Sequence, residues 1–110
     1  MGRYMNFNIY SSNNVLHTIV LTSTAAPTAT NTVVVAGVTF TFVSSVGSTA
    51  GNVLFSDEAT SLDNLALALN AGTGAGTNYV EVTAANRLTL NQAGIAAVSD
   101  STHTVTITSQ

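Results

Sequence analysis

Asn31-Thr32-Val33-Val34-Val35-Ala36-Gly37-Val38-Thr39-Phe40-Thr41-Phe42 is the stretch that decides the fold. In its second half apolar residues alternate with Thr, the period of a half-buried strand. Its first half is rich in β-branched residues, whose stiff side chains suit a pleated surface. A turn at Ala36-Gly37 pairs Val35 with Val38, Val33 with Phe40 and Asn31 with Phe42. That register collects Val33, Val35, Val38, Phe40 and Phe42 on one face, and a slip of one residue would scatter them. Ala36 is the unusual member, because such turns favour Asn or Asp before the Gly.

Downstream, residues 44–51 form a Gly/Ser loop and residues 52–55 a short strand. A helix then spans residues 61–71. Thr60 is its expected N-cap, with Asp63 completing a capping box. Asp57, Glu58 and Asp63 suit the positive end of its dipole. Leu62, Leu65, Ala66 and Leu69 form one buried stripe at helical spacing. Leu67 lies off that stripe and either widens the buried face or meets a neighbouring subunit. Gly72 is the expected residue after the helix.

Upstream, residues 15–22 read as a strand with apolar groups on both faces, which points to a central or sandwiched position. Residues 1–14 are polar with Tyr4, Phe7, Ile9 and Tyr10 interspersed. They are either the first strand of the domain or an arm packing on a neighbour. Beyond the helix, residues 79–83 and 87–91 read as a second hairpin around Ala84-Ala85-Asn86, with Glu81 and Arg87 as a surface ion pair. Residues 92–101 read as a loop with one helical turn at 93–97. His103, Val105 and Ile107 alternate with Thr in a final strand. The fold class is α+β, mainly β: antiparallel hairpins form a sheet or small sandwich with one short helix packed on it. Residues 15–110 make a single β-rich domain.

With 110 residues the chain has room for a core without disulfides, and it contains no cysteine. Charged residues are 6% of the chain, against about 25% in ordinary domains. Two arginines and no lysine argue against nucleic-acid binding, which needs several cations to displace counterions. No apolar run is long enough for a membrane-spanning helix, and residues 1–14 lack the pattern of a signal peptide.

The residue types of chemistry are present without its patterns. Gly72-Thr73-Gly74-Ala75-Gly76 follows a helix, whereas a phosphate-binding glycine loop precedes one, and no lysine follows. Asp100, Ser101 and His103 supply the types of a serine triad without a nucleophile elbow. His17 and His103 lack a third metal ligand. The spacing of Asp57, Glu58 and Asp63 is not that of a calcium loop. The expectation is a non-enzymatic protein with no cofactor and no metal.

Ala36-Gly37-Val38-Thr39-Phe40-Thr41-Phe42, then Asn52-Val53-Leu54-Phe55, then Thr60-Ser61-Leu62-Asp63-Asn64-Leu65-Ala66-Leu67-Ala68-Leu69-Asn70-Ala71 together resemble a recurrent element of bacteriophage virion proteins. A similar hairpin–helix element occurs in flagellin-type filament proteins. The resemblance implies a structural role in a virion assembled in the host bacterial cytoplasm, as a capsid decoration or cement protein on the major capsid protein or another virion protein. A homo-oligomer, for instance a trimer, suits such a role. A tail tube, fibre or adhesin component is the alternative, and a carbohydrate-binding module is the alternative from another class. The expected interface residues are Tyr4, Phe7, Ile9 and Tyr10 on the N-terminal segment, Leu67 on the helix, and Val105 and Ile107 on a C-terminal edge strand.

Overall fold

A computed structural model of the chain describes residues 17–109. The expectations for Tyr4, Phe7, Ile9 and Tyr10 lie outside the described residues. Six strands and two helices follow one another as β1 (His17–Thr22), β2 (Thr32–Val35), β3 (Val38–Val43), β4 (Asn52–Leu54), α1 (Glu58–Asn70), α2 (Ala84–Gln92), β5 (Ala96–Ser99) and β6 (Thr104–Ser109). The fold is α+β and mainly β.

The strands form two three-stranded sheets. In the second sheet, β2 and β3 make the expected hairpin, with Val33 opposite Phe40 and Val35 opposite Val38. Ala36 and Gly37 both take positive φ, 53° and 81°, the geometry of a type I′ turn. Alanine thus accepts a backbone that usually falls to Asn or Asp. The third strand, β4, is parallel to β3 rather than antiparallel, with Phe42 opposite Val53. Gly51 makes that return possible. Its φ is +87°, and a Cβ there would sit 2.8 Å from the carbonyl oxygen of Thr39.

The first sheet has the order β1-β6-β5, antiparallel throughout. Leu21, Ala97, Val105 and Ile107 face the core. Two expectations change here. Among the described residues β1 is an edge strand with Val20 55% exposed, not a sandwiched one. β6 is the centre of its sheet, not an edge, so Val105 and Ile107 belong to the protein's own core and are fully buried. Alternation shows which side of a strand is wet; it does not show who its neighbours are.

α1 begins three residues earlier than expected. Asp57, not Thr60, is the N-cap, and its carboxylate accepts the Thr60 N–H at 2.7 Å. The expected stripe of Leu62, Leu65, Ala66 and Leu69 is buried, and Ser61, Asn64 and Ala68 are buried with it. Leu67 is half-buried and packs against the core. Ala71, rather than Gly72, takes the left-handed conformation at the helix end (φ 54°, ψ 42°). The helix lies against β5 and β6 of the first sheet and β4 of the second, so one core serves both sheets.

The expected second hairpin is absent from its place. Residues 84–92 are the helix α2, capped by the Thr83 hydroxyl, and residues 96–99, expected within a loop and its helical turn, are the strand β5. The antiparallel hairpin nearest the C-terminus is β5–β6 instead.

Candidate interaction surface

Each of the five carboxylates in the chain is engaged inside the fold. Asp57 caps α1. Glu58 Oε2 accepts the Ser23 hydroxyl at 2.7 Å. Asp63 does not complete a capping box; its Oδ1 accepts the hydroxyls of Ser99 at 2.6 Å and Ser101 at 3.0 Å, tying α1 to the end of β5. Asp100 Oδ1 accepts the N–H groups of Thr102, His103 and Thr104 at 2.8 to 3.0 Å, which shapes the β5–β6 turn. These bonds, with that of Thr104 foremost, hold the Asp100 carboxyl well below the ordinary carboxylate range.

Glu81 pairs with Arg87, and the contact is more than a surface ion pair. Arg87 Nε and Nη2 donate to the two Glu81 oxygens at 2.7 and 2.8 Å. Its Nη1 and Nη2 also donate to the carbonyls of Leu69 and Ala68, at 2.9 and 2.8 Å. The guanidinium therefore satisfies carbonyls left open at the C-terminus of α1, where the helix dipole favours a cation. Its hydrogen bond to Glu81 lowers that carboxyl's pKa and raises its own.

The triad residue types build a turn. Ser101 donates to Asp63, and Asp100 is taken up by backbone N–H groups. Residues 72–76 likewise form a connection, in which the Gly74 carbonyl accepts from Thr77 and Asn78 and the Gly72 carbonyl accepts the Tyr79 hydroxyl. Burial raises the pKa of that phenol. Among the described residues no three His, Asp or Glu side chains gather as a metal site, and no cavity opens.

The sheet edges are the remaining place where unsatisfied groups can meet a partner, and two of the four are closed. Along β4, residues 78–80 run antiparallel. Leu54 N–H donates to Asn78 at 2.9 Å, and Val80 N–H donates to Asn52 at 2.8 Å. Along β5 the closure is a single side chain. Asn70, the last residue of α1, donates from Nδ2 to the Ala97 carbonyl at 2.7 Å and accepts the Ala97 N–H on Oδ1 at 2.8 Å. Its amide imitates the peptide group of an adjacent strand.

The edges of β1 and β2 are open among the described residues. Ser23 N–H donates to the His103 carbonyl at 2.8 Å, which fixes the phase of the β1–β6 ladder. Hydrogen-bonded pairs alternate along an antiparallel ladder, so Ile19 and Leu21 direct their backbone groups to β6, and Thr18, Val20 and Thr22 direct theirs outward. The same reasoning, from Phe42 N–H donating to Asn31, leaves Thr32 and Val34 facing outward on β2. Neither strand carries a lysine, proline or acid, the usual guards of an open edge. Val20 and Val98, on the same outer face of the first sheet, are 55% and 70% exposed.

Of the expected interface residues that are described, Leu67 is half-buried and Val105 and Ile107 are in the core, so none of these three lies on an open edge. Val20 went unnoticed because a strand with apolar residues on both faces reads as buried. No family model matches the sequence, and no curated protein or solved structure is significantly similar to it.

Proposed function

We propose that the chain is a non-enzymatic virion structural protein, a capsid decoration or cement protein that binds the major capsid protein of an assembled bacteriophage head and stabilises it. The observation that carries this reading is how the chain uses its charge. All five carboxylates and the arginine of the described residues make contacts within the chain, so a partner meets threonine, small apolar side chains and two unguarded strand edges. The resemblance of residues 31–71 to a virion element points the same way.

A surface of this kind holds its partner by backbone pairing and neutral packing. The N-terminal segment with Phe7 and Ile9 is the part of the chain that adds a strand to a neighbour. Cementing works by mass action: many weak contacts on a lattice favour the bound, assembled state. Salt screens charge but not such contacts, so half-molar salt leaves the protein on the particle. The test is to strip the protein from purified particles and heat them. Earlier loss of the packaged genome, restored by adding the protein back, supports the role; unchanged heat resistance rejects it. Labelled protein found on tails instead of heads would favour the tail reading.

A further inference from the structure

β1 ends the first sheet with Thr18-Ile19-Val20-Leu21-Thr22, which reads the same by residue class in either direction about Val20. Its outward backbone groups belong to Thr18, Val20 and Thr22, so they too are symmetric about that residue.

We propose that this edge pairs with β1 of a second copy, antiparallel, about a twofold axis through Val20, joining two three-stranded sheets into one. In that register the outward N–H and C=O of Thr18, Val20 and Thr22 meet those of Thr22, Val20 and Thr18 of the second copy. Each donor finds an acceptor. On the outer face the exposed valines stack on each other, flanked by threonine against threonine. On the core face half-buried Ile19 lies opposite Leu21 of the second copy, and the hydrophobic core continues across the axis.

Charge fits as well. β1 contains no Lys, Arg, Asp or Glu, so the twofold sets no like charges together. The β2 edge has no such symmetry: two residues, Thr32 and Val34, face outward from a strand of one Thr and three Val. The inference is independent of what the assembled particle contributes.

The full chain has no cysteine, so one introduced thiol reports on one contact. Across a hydrogen-bonded antiparallel pair the Cα atoms lie about 5.5 Å apart, within disulfide reach. Under mild oxidation Val20→Cys is expected to give a disulfide-linked dimer rapidly, and Val98→Cys, more exposed and on the same face but on the far strand β5, is not. Equal rates would mean random collision and overturn the proposal. By sedimentation, Val20→Lys should weaken dimerisation at least tenfold. Val20→Pro should do the same while keeping the fold by circular dichroism, since the N–H it removes takes no part in the β1–β6 ladder. A wild-type chain that stays monomeric at high micromolar concentration overturns the proposal. So does a chain that dimerises only after residues 1–14 are deleted, because its own N-terminal segment then occupies the edge.

Discussion

α1 and α2 are started by the same device and held by different ones. In each, a side-chain oxygen before the first turn accepts the N–H three residues on: Asp57 from Thr60, and Thr83 from Asn86. Beyond that they diverge. α1 sets Leu62, Leu65 and Leu69 into the core, whereas Leu90 alone in α2 is buried and Leu88 is 55% exposed. The other attachment of α2 is Arg87, which reaches from its first turn to the last carbonyls of α1. A helix in this chain can thus be fixed by a buried stripe or by a few directed polar contacts, and only the stripe leaves a period in the sequence.

The largest effect expected is in α1. Leu65→Ala removes a fully buried side chain from the one hydrophobic core and should cost about 2–5 kcal/mol in denaturant unfolding. Leu88→Ala should change stability by less than about 0.5 kcal/mol. Similar losses at the two sites would break the comparison. Next is Arg87→Met, which keeps the aliphatic stem and deletes the fork. A loss of about 2–3 kcal/mol is expected, with faster amide exchange in both α2 and the last turn of α1. Arg87→Lys should recover little, since an ammonium cannot span the Glu81 carboxylate and two carbonyls at once. Faster exchange confined to α2 would mean that the guanidinium does not hold α1.

Acid separates the two caps. Asp57, Glu81 and Asp100 are held below their ordinary pKa by bonds to the charged form, at Asp57 chiefly from the Thr60 N–H. A depressed folded pKa gives stability that is complete above the unfolded value and is lost as pH falls through the folded one. Stability should therefore be level down to about pH 5 and fall below about pH 4. Thr83 does not titrate, so its cap persists in acid. Asp57→Ser keeps a capping oxygen without the carboxyl and should make the acid slope shallower at the start of α1; an unchanged slope there would sink this assignment. The smallest effect concerns the end of α1. Ala71 holds a left-handed backbone that glycine adopts freely, so Ala71→Gly should raise stability by about 1 kcal/mol or less, read from the unfolding midpoint. At the neighbouring Gly72, whose φ is not positive, Gly72→Ala sets a Cβ 2.9 Å from Leu67 Cδ2, the far end of a side chain that can turn aside, so its effect should be small.

The same contrast explains what the sequence disclosed. The β2–β3 hairpin is specified by neighbours in the chain, through its alternation and its turn, and its register is legible. The stripe of α1 is legible for the same reason. In α2 the leucines at 88 and 90 stand two apart, the spacing of a strand, and one buried position cannot show a helical period. The sign of a helix was Thr83 before Ala84-Ala85, a capping residue ahead of strong helix formers. β5 is built of small residues, and its edge is satisfied by Asn70, 27 positions away. That partnership is written nowhere locally. The candidate surface was hidden by the same limit. Alternation marks the two faces of β1 and β6, but the order β1-β6-β5 decides which strand is open, and that order is a property of the assembled fold.

That order also has a meaning in time. A ribosome delivers β1 first, yet the strand that separates β1 from β5 is β6, which follows both. β2, β3, β4 and α1 are contiguous, so the second sheet with its helix can close while later residues are still being made. Until residues 104–109 emerge, β1 and β5 have no common neighbour, and Leu21 lacks Val105 opposite it. During that interval β1 has no partner among the described strands, and on crowded polysomes the β1 strands of neighbouring nascent chains compete with β6 for its open edges. Synthesis rate and temperature, rather than final stability, then decide how much of the product escapes premature pairing.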